Sequence, residues 1–220
     1  MAVPQSTRSR IVLVDDHPVA RAGLRRLIEE EPDLTVCAET GSVRDAVAVI
    51  EDANPDLAII DLSLEDGSGI ELIKRLKTHV PGLKMLVFSM HDEALFAERA
   101  VNAGALGYAN KHQRIEQILD AIRTVLGGRV YLSETMVERL VNGFAKKKDT
   151  GSSSIEDLSD RELEVFGLIG QGLSTSQIAT RLHLSVKTVE THRDKIKRKL
   201  QLASGGELVR HAVEWQMSQA

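Results

Sequence analysis

The chain has 220 residues, seven aromatic residues, one cysteine and a formal net charge of −4 at pH 7. The length suits one ordinary domain plus a smaller one. The lone cysteine, Cys37, is predicted to lie in a core strand and excludes a disulfide framework, and so few aromatic residues argue against a protein that stacks single-stranded nucleic acid. No apolar signal segment opens the sequence, and no run approaches membrane-spanning length, so we expect a cytoplasmic protein with no membrane partner.

Apolar, strand-like runs alternate with amphipathic helical patterns up to about residue 128. The runs cover residues 11–14, 34–38, 57–60, 85–88 and, more weakly, 107–109. The helical patterns cover residues 19–30, 43–51, 70–78, 94–101 and 115–126. Nearly continuous Val, Ile and Leu runs are typical of parallel strands buried on both faces. The alternation predicts an α/β domain over residues 9–128, with a doubly wound, five-stranded parallel sheet of the flavodoxin type.

The second half of the chain has a different pattern. Residues 129–154 are predicted to form a linker that holds one helix, within 131–145, and then a flexible tether of three lysines and the sequence DTGSSS. Residues 155–220 are predicted to form an all-α, four-helix domain, because the pattern there is purely helical. Its predicted helix starts are the capping boxes Ser159/Glu162, Ser174/Gln177 and Ser204/Glu207, and the cap Ser185.

Polar side chains follow the carboxyl ends of four of the five runs. Asp15 and Asp16 end the first run, Asp61 the third and Ser89 the fourth, and Lys111 follows the fifth. In an open parallel sheet, ligands bind beyond the carboxyl ends of the strands. Each residue alone has an ordinary interpretation as a loop cap or a solvated surface group. The five together, at the ends of the right strands, predict one site.

The chemistry of this cluster favours a phosphoryl group and a divalent cation. Three neighbouring carboxylates repel one another and favour a bound cation, and all-oxygen ligation suits Mg²⁺, which retains several waters and binds phosphates. One carboxylate can then attack a phosphoryl group. The product oxygens would contact the cation, the Ser89 hydroxyl and the Lys111 ammonium.

Four segments carry a family resemblance. IVLVDDHPVARAGLRRLI, LAIIDLSLEDGSGIELI, MLVFSMHDE and GYANK, in this order, resemble the receiver domain of response regulators over about residues 9–128. The resemblance implies that Asp61 is the phosphoacceptor and that Lys111 binds the phosphate. It implies these further roles: Mg²⁺ ligation by Asp15, Asp16, Asp61 and the backbone carbonyl of Ser63, and switching by Ser89 and Tyr108.

Two features depart from the receiver pattern. Asn110 and His112 flank Lys111, where the family more often has an apolar residue and an acid. The loop after Asp61 reads EDGSG, where many members place a proline. Neither departure removes a chemical group that the mechanism needs, but both can alter phosphate lifetime or the choice of partner.

A basic helix is predicted in the second domain. Residues 185–200 contain six Lys or Arg and two Asp or Glu, a net charge of +4, whereas residues 9–130 carry 14 Lys or Arg and 20 Asp or Glu. Such a helix can neutralise phosphates and enter a major groove. Charge alone leaves a second interpretation open, a basic amphipathic helix that only packs on its neighbours. Four apolar residues are expected to face the core: Val186, Val189, Ile196 and Leu200.

The stretch LSDRELEVFGLIGQGLSTSQIATRLHLSVKTVETHRDKIKRKL strongly resembles the helix-turn-helix of the LuxR/NarL/FixJ class. The resemblance implies that the third helix, about residues 186–200, reads DNA after a turn at His183 and Leu184. It implies base reading by Glu190, Thr191 and Asp194, and phosphate contacts by Lys187, His192, Arg193, Lys195 and Lys199.

Both resemblances imply a DNA-binding response regulator of a two-component system. A sensor histidine kinase or a small phosphodonor would phosphorylate Asp61, and the change around Ser89 and Tyr108 would alter dimerisation and sequence-specific binding of double-stranded DNA, and so transcription. The expected chemistry is limited to the chain's own aspartyl phosphorylation and dephosphorylation, so the chain is not predicted to be an enzyme.

Two alternative functions share parts of this pattern. A phosphohydrolase that uses Asp61 as nucleophile often has a second Asp two residues later, a position that Ser63 occupies here. A phosphorylation-independent DNA-binding or scaffold protein would not need the full receiver set, which this chain retains.

Overall fold

Five parallel strands form one sheet in a computed structural model, which describes residues 8–91, 93–138, 155–182 and 184–219. The sheet strands are β1 (Ser9–Val14), β2 (Leu34–Thr40), β3 (Leu57–Ile60), β6 (Lys84–Ser89) and β7 (Gly107–Asn110). A two-stranded hairpin, β4 (Ser63–Leu64) and β5 (Gly67–Ser68), follows β3. The strand order β2-β1-β3-β6-β7 confirms the predicted doubly wound parallel sheet, including its weak fifth strand.

Five helices cover the sheet because each has one apolar face. They are α1 (Pro18–Glu29), α2 (Val43–Ala53), α3 (Gly69–His79), α4 (Glu93–Ala103) and α5 (Ile115–Leu126), all close to their predicted bounds. The central strands β1, β3 and β6 bury nearly every side chain, whereas β2 lies at an edge and alternates buried with half-buried residues. Cys37 lies on that edge strand, so it is half-buried rather than the core residue that we predicted.

The first residues of the predicted linker belong to the sheet. Tyr131 forms a bridge with Gly107: the Tyr108 N–H donates to the Tyr131 carbonyl at 2.9 Å, and the Tyr131 N–H donates to the Leu106 carbonyl at 3.1 Å. The first unit therefore extends beyond residue 128, as main-chain hydrogen bonds satisfy the outer edge of β7. Helical structure resumes at residues 134–138, within the predicted linker helix, and residues 139–154 lie outside the described residues.

The second unit contains four helices, as predicted. They are α6 (Asp160–Gly170), α7 (Thr175–Arg181), α8 (Val186–Lys199) and α9 (Gly205–Gln219), preceded by a 3₁₀ turn at Ile155–Asp157. Reciprocal capping boxes begin α6 and α7, and Ser185 caps α8 by accepting from the Thr188 N–H. At the start of α9, Ser204 accepts from the Glu207 N–H, but the Glu207 carboxylate accepts from Ala203, so that box is not reciprocal.

Phe166 lies in the core of this second unit, and the half-buried Trp215 packs against it. Their ring centroids are 5.3 Å apart, and Phe166 is fully buried together with Ile178, Val189 and Ile196. Gly170 permits a close approach of α6 to α9, because a Cβ there would lie 2.6 Å from the Ala212 carbonyl oxygen.

The chain divides into two compact units at residues 145/146. Among the described residues, none of the helices is long and apolar enough to cross a membrane.

Candidate functional site: an acidic strand-end cluster and a basic helix

The structure places the predicted receiver residues at one edge of the sheet. Asp15 follows β1, Asp61 follows β3, Ser89 ends β6, and Lys111 follows β7. Asp15, Asp61 and Ser89 are at most 5 % exposed. The strand order reverses between β1 and β3, which is where doubly wound sheets place ligands.

Asp61 is held through both carboxylate oxygens. Ser89 Oγ donates to Oδ1 at 2.8 Å, the Ser63 N–H donates to the same oxygen at 3.3 Å, and Lys111 Nζ donates to Oδ2 at 2.6 Å. The hydroxyl and the ammonium thus lie where the oxygens of a group attached to Asp61 would need donors. The role of the Ser63 carbonyl as a metal ligand stays a prediction.

Lys111 joins two of the acidic residues. Its Nζ also lies 2.7 Å from Asp15 Oδ2, and its side chain is 8 % exposed. Burial works to lower the pKa of Lys111, but the negative charge of Asp61 and the hydrogen bonds that Lys111 donates to both carboxylates outweigh it and raise the pKa above its ordinary value. The ammonium therefore remains charged at neutral pH.

Four side chains form an acidic cluster that can hold a cation. Ligand atoms of Asp15, Asp16, His17 and Asp61 lie within 4.8 Å of one another. Asp16 Oδ1 is buried and accepts no hydrogen bond, although His17 Nδ1 lies 2.7 Å away as an ion-pair partner. Burial raises the pKa of Asp16, against the opposing effects of His17 and the Glu65 N–H. A buried carboxyl group that costs free energy to ionise fits a bound divalent cation, which would balance its negative charge.

Contacts from distant parts of the chain position this cluster. The Arg21 guanidinium donates to the Asp15 carbonyl and to Glu39, so α1 and β2 both hold the loop after β1. The Glu65 N–H donates to Asp16 Oδ2 at 2.8 Å. Gly69 begins α3 directly against the loop after β3, where a Cβ would lie 2.2 Å from the Asp61 carbonyl oxygen. We did not predict roles for Arg21 and Gly69, although a glycine in the EDGSG loop was a signal of close backbone approach.

The loop after β6 is held from three sides. The Tyr108 hydroxyl donates to the His91 carbonyl at 3.0 Å, and Tyr108 is 2 % exposed, so the predicted switch aromatic points inward. Asn110 Nδ2 donates to the same carbonyl, also at 3.0 Å. Ser63 Oγ and His91 Nε2 share a hydrogen bond of 2.6 Å. His91 therefore lies beside the site because a tertiary contact, not local spacing, brings it there.

Helix α8 presents a continuous exposed stripe of polar residues. The stripe, spaced at intervals of three or four residues, contains Lys187, Glu190, Thr191, Asp194, Lys195 and Arg198. The Thr191 hydroxyl donates to the Lys187 carbonyl at 2.9 Å within the helix, which leaves the threonine oxygen as an acceptor. Asp194 forms an ion pair with Lys197 at 2.9 Å. Five of the predicted DNA contacts therefore share one accessible face, suited to a groove.

The remaining predicted DNA contacts lie off this stripe. His192 and Arg193 are half-buried, and burial, followed by the charges of Lys195 and Arg161, lowers the pKa of His192, so its imidazole is neutral at pH 7. Lys199 donates to the Asp157 carbonyl at 2.9 Å and to Glu162 at 2.7 Å. Their phosphate contacts stay predictions, and Lys199 also has a role inside the domain.

The prediction that Val186 faces the core is wrong. Val186 is 45 % exposed, whereas Val189, Ile196 and Leu200 are buried as predicted. Val186 is the first residue of α8, directly after its cap Ser185, so it lies at the very end of the helix.

The Lys199–Glu162 contact predicts a pH-dependent stability. Burial works to raise the pKa of Glu162, but hydrogen bonds from Lys199 and Ser159 outweigh it and lower the pKa. A carboxyl group with a lowered folded-state pKa stabilises the protein above its unfolded-state pKa, and this contribution disappears as the pH falls through the folded-state value. We expect Lys199→Ala to lower the free energy of unfolding by about 1–3 kcal/mol at pH 7, with a deficit that shrinks in acid as Glu162 takes up a proton.

The fluorescence of Trp215, the single tryptophan, reports this unfolding in the full chain. Lys195→Ala removes an exposed lysine from the same helix and serves as the control, with an expected change within about 0.5 kcal/mol. Equal destabilisation by both variants, or a Lys199→Ala deficit that persists unchanged in acid, would contradict the role assigned to this contact.

Comparisons with known proteins agree with this arrangement. Residues 11–123 match the family described as response regulator receiver domain, and residues 156–212 match the bacterial regulatory proteins of the luxR family. The chain is similar to the transcriptional activator protein ExaE of Pseudomonas putida, 35 % identical over 93 % of this chain and 95 % of ExaE. It is also similar to the oxygen regulatory protein NreC of Staphylococcus haemolyticus, 36 % identical over 93 % of this chain and 97 % of NreC.

A solved structure supports the same relationship. A two-component response regulator of the LuxR family from Aurantimonas sp. SI85-9A1 is 34 % identical, with a TM-score of 0.58, and the match covers 64 % of this chain and 100 % of that one. Both domain families match in the order in which the two units occur, and the relatives cover nearly the whole chain. The chain therefore belongs to the two-component response regulators that carry a LuxR-type DNA-binding domain.

Proposed function

We propose that phosphorylation of Asp61 by a sensor histidine kinase, or by a small phosphodonor, switches this chain between weak and strong binding of specific DNA sites in the cytoplasm. The observation that carries the proposal is the arrangement around Asp61. A buried carboxylate lies between a hydroxyl and an ammonium, beside an acidic cluster with an unsatisfied oxygen, in a chain whose second unit is a LuxR-type helix-turn-helix.

Asp61 is the group that accepts the phosphoryl group. One of its carboxylate oxygens attacks the phosphorus atom, an O–P bond forms, and the bond from phosphorus to the donor breaks with its electron pair leaving on the donor. Lys111 Nζ and Ser89 Oγ, each already within hydrogen-bond distance of Asp61, donate to the transferred oxygens. Mg²⁺, held by Asp15, Asp16, Asp61 and the Ser63 carbonyl, would neutralise charge on the phosphoryl oxygens.

Phosphorylation changes which partners Ser89 and Lys111 have, and this change favours one arrangement of the loop after β6. Tyr108 is coupled to that loop through the His91 carbonyl, and its main chain is coupled to Tyr131, beyond α5. A two-state change there is expected to favour dimerisation, and a dimer would bind a two-fold site on double-stranded DNA. Turnover is limited to the chain's own aspartyl phosphate, because Ser63 occupies the position of a hydrolase's second Asp.

The switch is tested with Lys111→Ala. We expect this variant to retain some phosphorylation but to lose most of the phosphorylation-dependent gain in DNA affinity, because no ammonium remains to anchor the phosphate oxygen. The measurement is DNA binding with and without acetyl phosphate, with the phosphorylated fraction determined by intact mass. Lys74→Ala, which removes an exposed lysine on α3, is the control. A normal gain in the fully phosphorylated Lys111→Ala variant would refute the role assigned to Lys111.

The Mg²⁺ site has its own test. Ionised Asp16 costs stability in the absence of a cation, because burial raises its pKa. We expect Asp16→Asn to unfold at the same or a higher temperature than the wild type without Mg²⁺, and to lose most of the stabilisation that Mg²⁺ gives the wild type, which is about 2.7 kcal/mol at a concentration 100-fold above the dissociation constant.

Thermal unfolding followed by circular dichroism, with and without Mg²⁺, makes this measurement. Glu65→Gln is the matched control, because the Glu65 side chain is exposed and its N–H to Asp16 is retained. Since a proton competes with the cation for Asp16, the Mg²⁺ effect should weaken as the pH falls through the raised pKa. An undiminished Mg²⁺ effect in Asp16→Asn would exclude Asp16 as a ligand.

A further inference from the structure

The side chain of Asn110 connects the two loops that carry Ser89 and Lys111. Asn110 ends β7 and lies opposite Ser89 in the parallel register. Its Nδ2 donates to the His91 carbonyl at 3.0 Å, two residues after Ser89, and its Oδ1 accepts from the His112 N–H at 2.9 Å, one residue after Lys111. An apolar side chain, more usual at this position in the receiver pattern, could form neither bond.

One of the two Asn110 hydrogen bonds is local and the other joins distant parts of the chain. The bond from His112 joins residues two apart, and an Asn side chain commonly stabilises a turn in this way. The bond to His91 joins residues 19 apart, so it ties separate loops together. This cross-loop bond can therefore affect the site around Asp61, whereas the bond from His112 stabilises only the local turn.

The acceptor of the cross-loop bond is shared with Tyr108. The Tyr108 hydroxyl and Asn110 Nδ2 both donate to the His91 carbonyl, each at 3.0 Å. Nearby, the Lys111 N–H donates to the Ser89 carbonyl at 2.9 Å. The Asn110 amide thus fixes the carbonyl that receives Tyr108 while it braces the two loops that carry Ser89 and Lys111.

We propose that Asn110 is a positioning residue that keeps Ser89 Oγ and Lys111 Nζ directed at Asp61 and favours the inward position of Tyr108. The proposal rests on the proposed function of Asp61 as phosphoacceptor. Because the Asn110 side chain hydrogen-bonds the main chain of His91 and His112 and not the acidic cluster, its effect should fall on the rate of phosphoryl transfer and on the position of Tyr108, not on the affinity for Mg²⁺.

Two variants separate the cross-loop bond from the turn. Asn110→Leu has a similar size and loses both hydrogen bonds, whereas Asn110→Asp retains the acceptor for the His112 N–H and loses the donor to the His91 carbonyl. His112→Ala is the matched control, since its side chain is exposed and its N–H is retained.

The first measurement needs no phosphodonor. The chain has two tyrosines, so 3-fluorotyrosine in a Tyr131→Phe background labels Tyr108 alone, and ¹⁹F NMR reports whether the ring is buried or exposed. We expect one buried resonance for the parent and for His112→Ala. We expect an exposed population in Asn110→Leu and Asn110→Asp, with the ratio of exposed to buried rings raised about fivefold, the effect of one ordinary hydrogen bond.

The second measurement is labelling by acetyl phosphate at saturating donor. We expect both Asn110 variants to be phosphorylated about fivefold more slowly, with the Mg²⁺ concentration for half-maximal labelling unchanged. Wild-type rates with a single buried resonance in both variants would overturn the proposal. The proposal would also be overturned if Asn110→Asp behaved as the wild type while Asn110→Leu did not, because the turn alone would then matter. A parallel loss of Mg²⁺ affinity and thermal stability in the variants would overturn it as well.

The outcome also distinguishes this inference from the proposed function. If the wild type is not labelled at all, the phosphoacceptor proposal fails, while the ¹⁹F spectra still decide whether Asn110 controls the position of Tyr108. If the wild type is labelled and both measurements are insensitive to Asn110, only the inference about Asn110 fails.

Discussion

Replacing Asp61 with asparagine is expected to reduce covalent labelling by acetyl phosphate and Mg²⁺ to background. The substitution retains the size of the side chain and removes the carboxylate that attacks phosphorus. Intact-mass analysis of the full chain gives the phosphorylated fraction directly. Glu65→Gln, which neutralises an exposed carboxylate four residues further along the chain, should be labelled as the wild type is.

The same variant should lose the phosphodonor-dependent gain in DNA affinity while retaining basal binding. The LuxR-type domain of Asp61→Asn is unchanged in sequence, so its basic helix and the predicted phosphate-contacting residues remain. Undiminished labelling of Asp61→Asn would place the phosphoryl group on another residue. If the wild type is labelled but its DNA affinity does not change, the phosphoacceptor assignment stands and the proposed control of DNA binding is refuted.

Local patterns in the sequence were sufficient to predict the elements of the fold. Continuous apolar runs and amphipathic stretches reproduce the five sheet strands and the helices α1 to α5 to within one or two residues, whereas the hairpin of β4 and β5 was not predicted. The site was also predictable, since Asp15, Asp61, Ser89 and Lys111 each lie at a strand end, and the carboxyl ends of parallel strands meet at one edge.

Long-range contacts were not predictable in this way. No local pattern pairs Arg21 with the Asp15 carbonyl, Asn110 with the His91 carbonyl, or Tyr131 with the edge of β7. In α8, periodicity correctly assigned Val189 and Ile196 to the core, but Val186, the first residue of the helix, is exposed. Which residues at a helix end are covered is a tertiary property that the sequence of one helix does not contain.

The exposed stripe of α8 leads to a prediction about how DNA is read. Lys187 is expected to contact phosphates. Thr191 and Glu190 are expected to contact base edges. Lys187→Ala should weaken binding to all sequences alike and flatten the dependence of log affinity on log salt concentration by about one unit. Thr191→Ala should cost about 1–3 kcal/mol at the preferred site and relax the preference at one position in each half-site.

Lys187 is a cleaner probe of phosphate contacts than Lys199. Because Lys199 binds Glu162 and the Asp157 carbonyl, its loss alters the stability of the domain as well as its charge. Arg210→Ala is the charge-matched control, since the Arg210 side chain is 74 % exposed on α9. It should leave both the preferred sequence and the salt slope close to those of the wild type.

Binding-site selection is done with the wild type and these three variants, at two salt concentrations and with Asp61 phosphorylated. It distinguishes phosphate contacts from base contacts along the stripe. A dimer should select two-fold symmetric sites with half-site centres about one helical turn apart. If Lys187→Ala changed the preferred sequence while Thr191→Ala left it unchanged, the roles assigned along the stripe would be reversed.

Because Thr191 uses its hydroxyl proton within the helix, it can only accept a hydrogen bond or offer its methyl group. The position it reads should therefore favour a base whose edge has an amino donor, adenine or cytosine, or a thymine methyl over guanine, whose major-groove edge presents only acceptors.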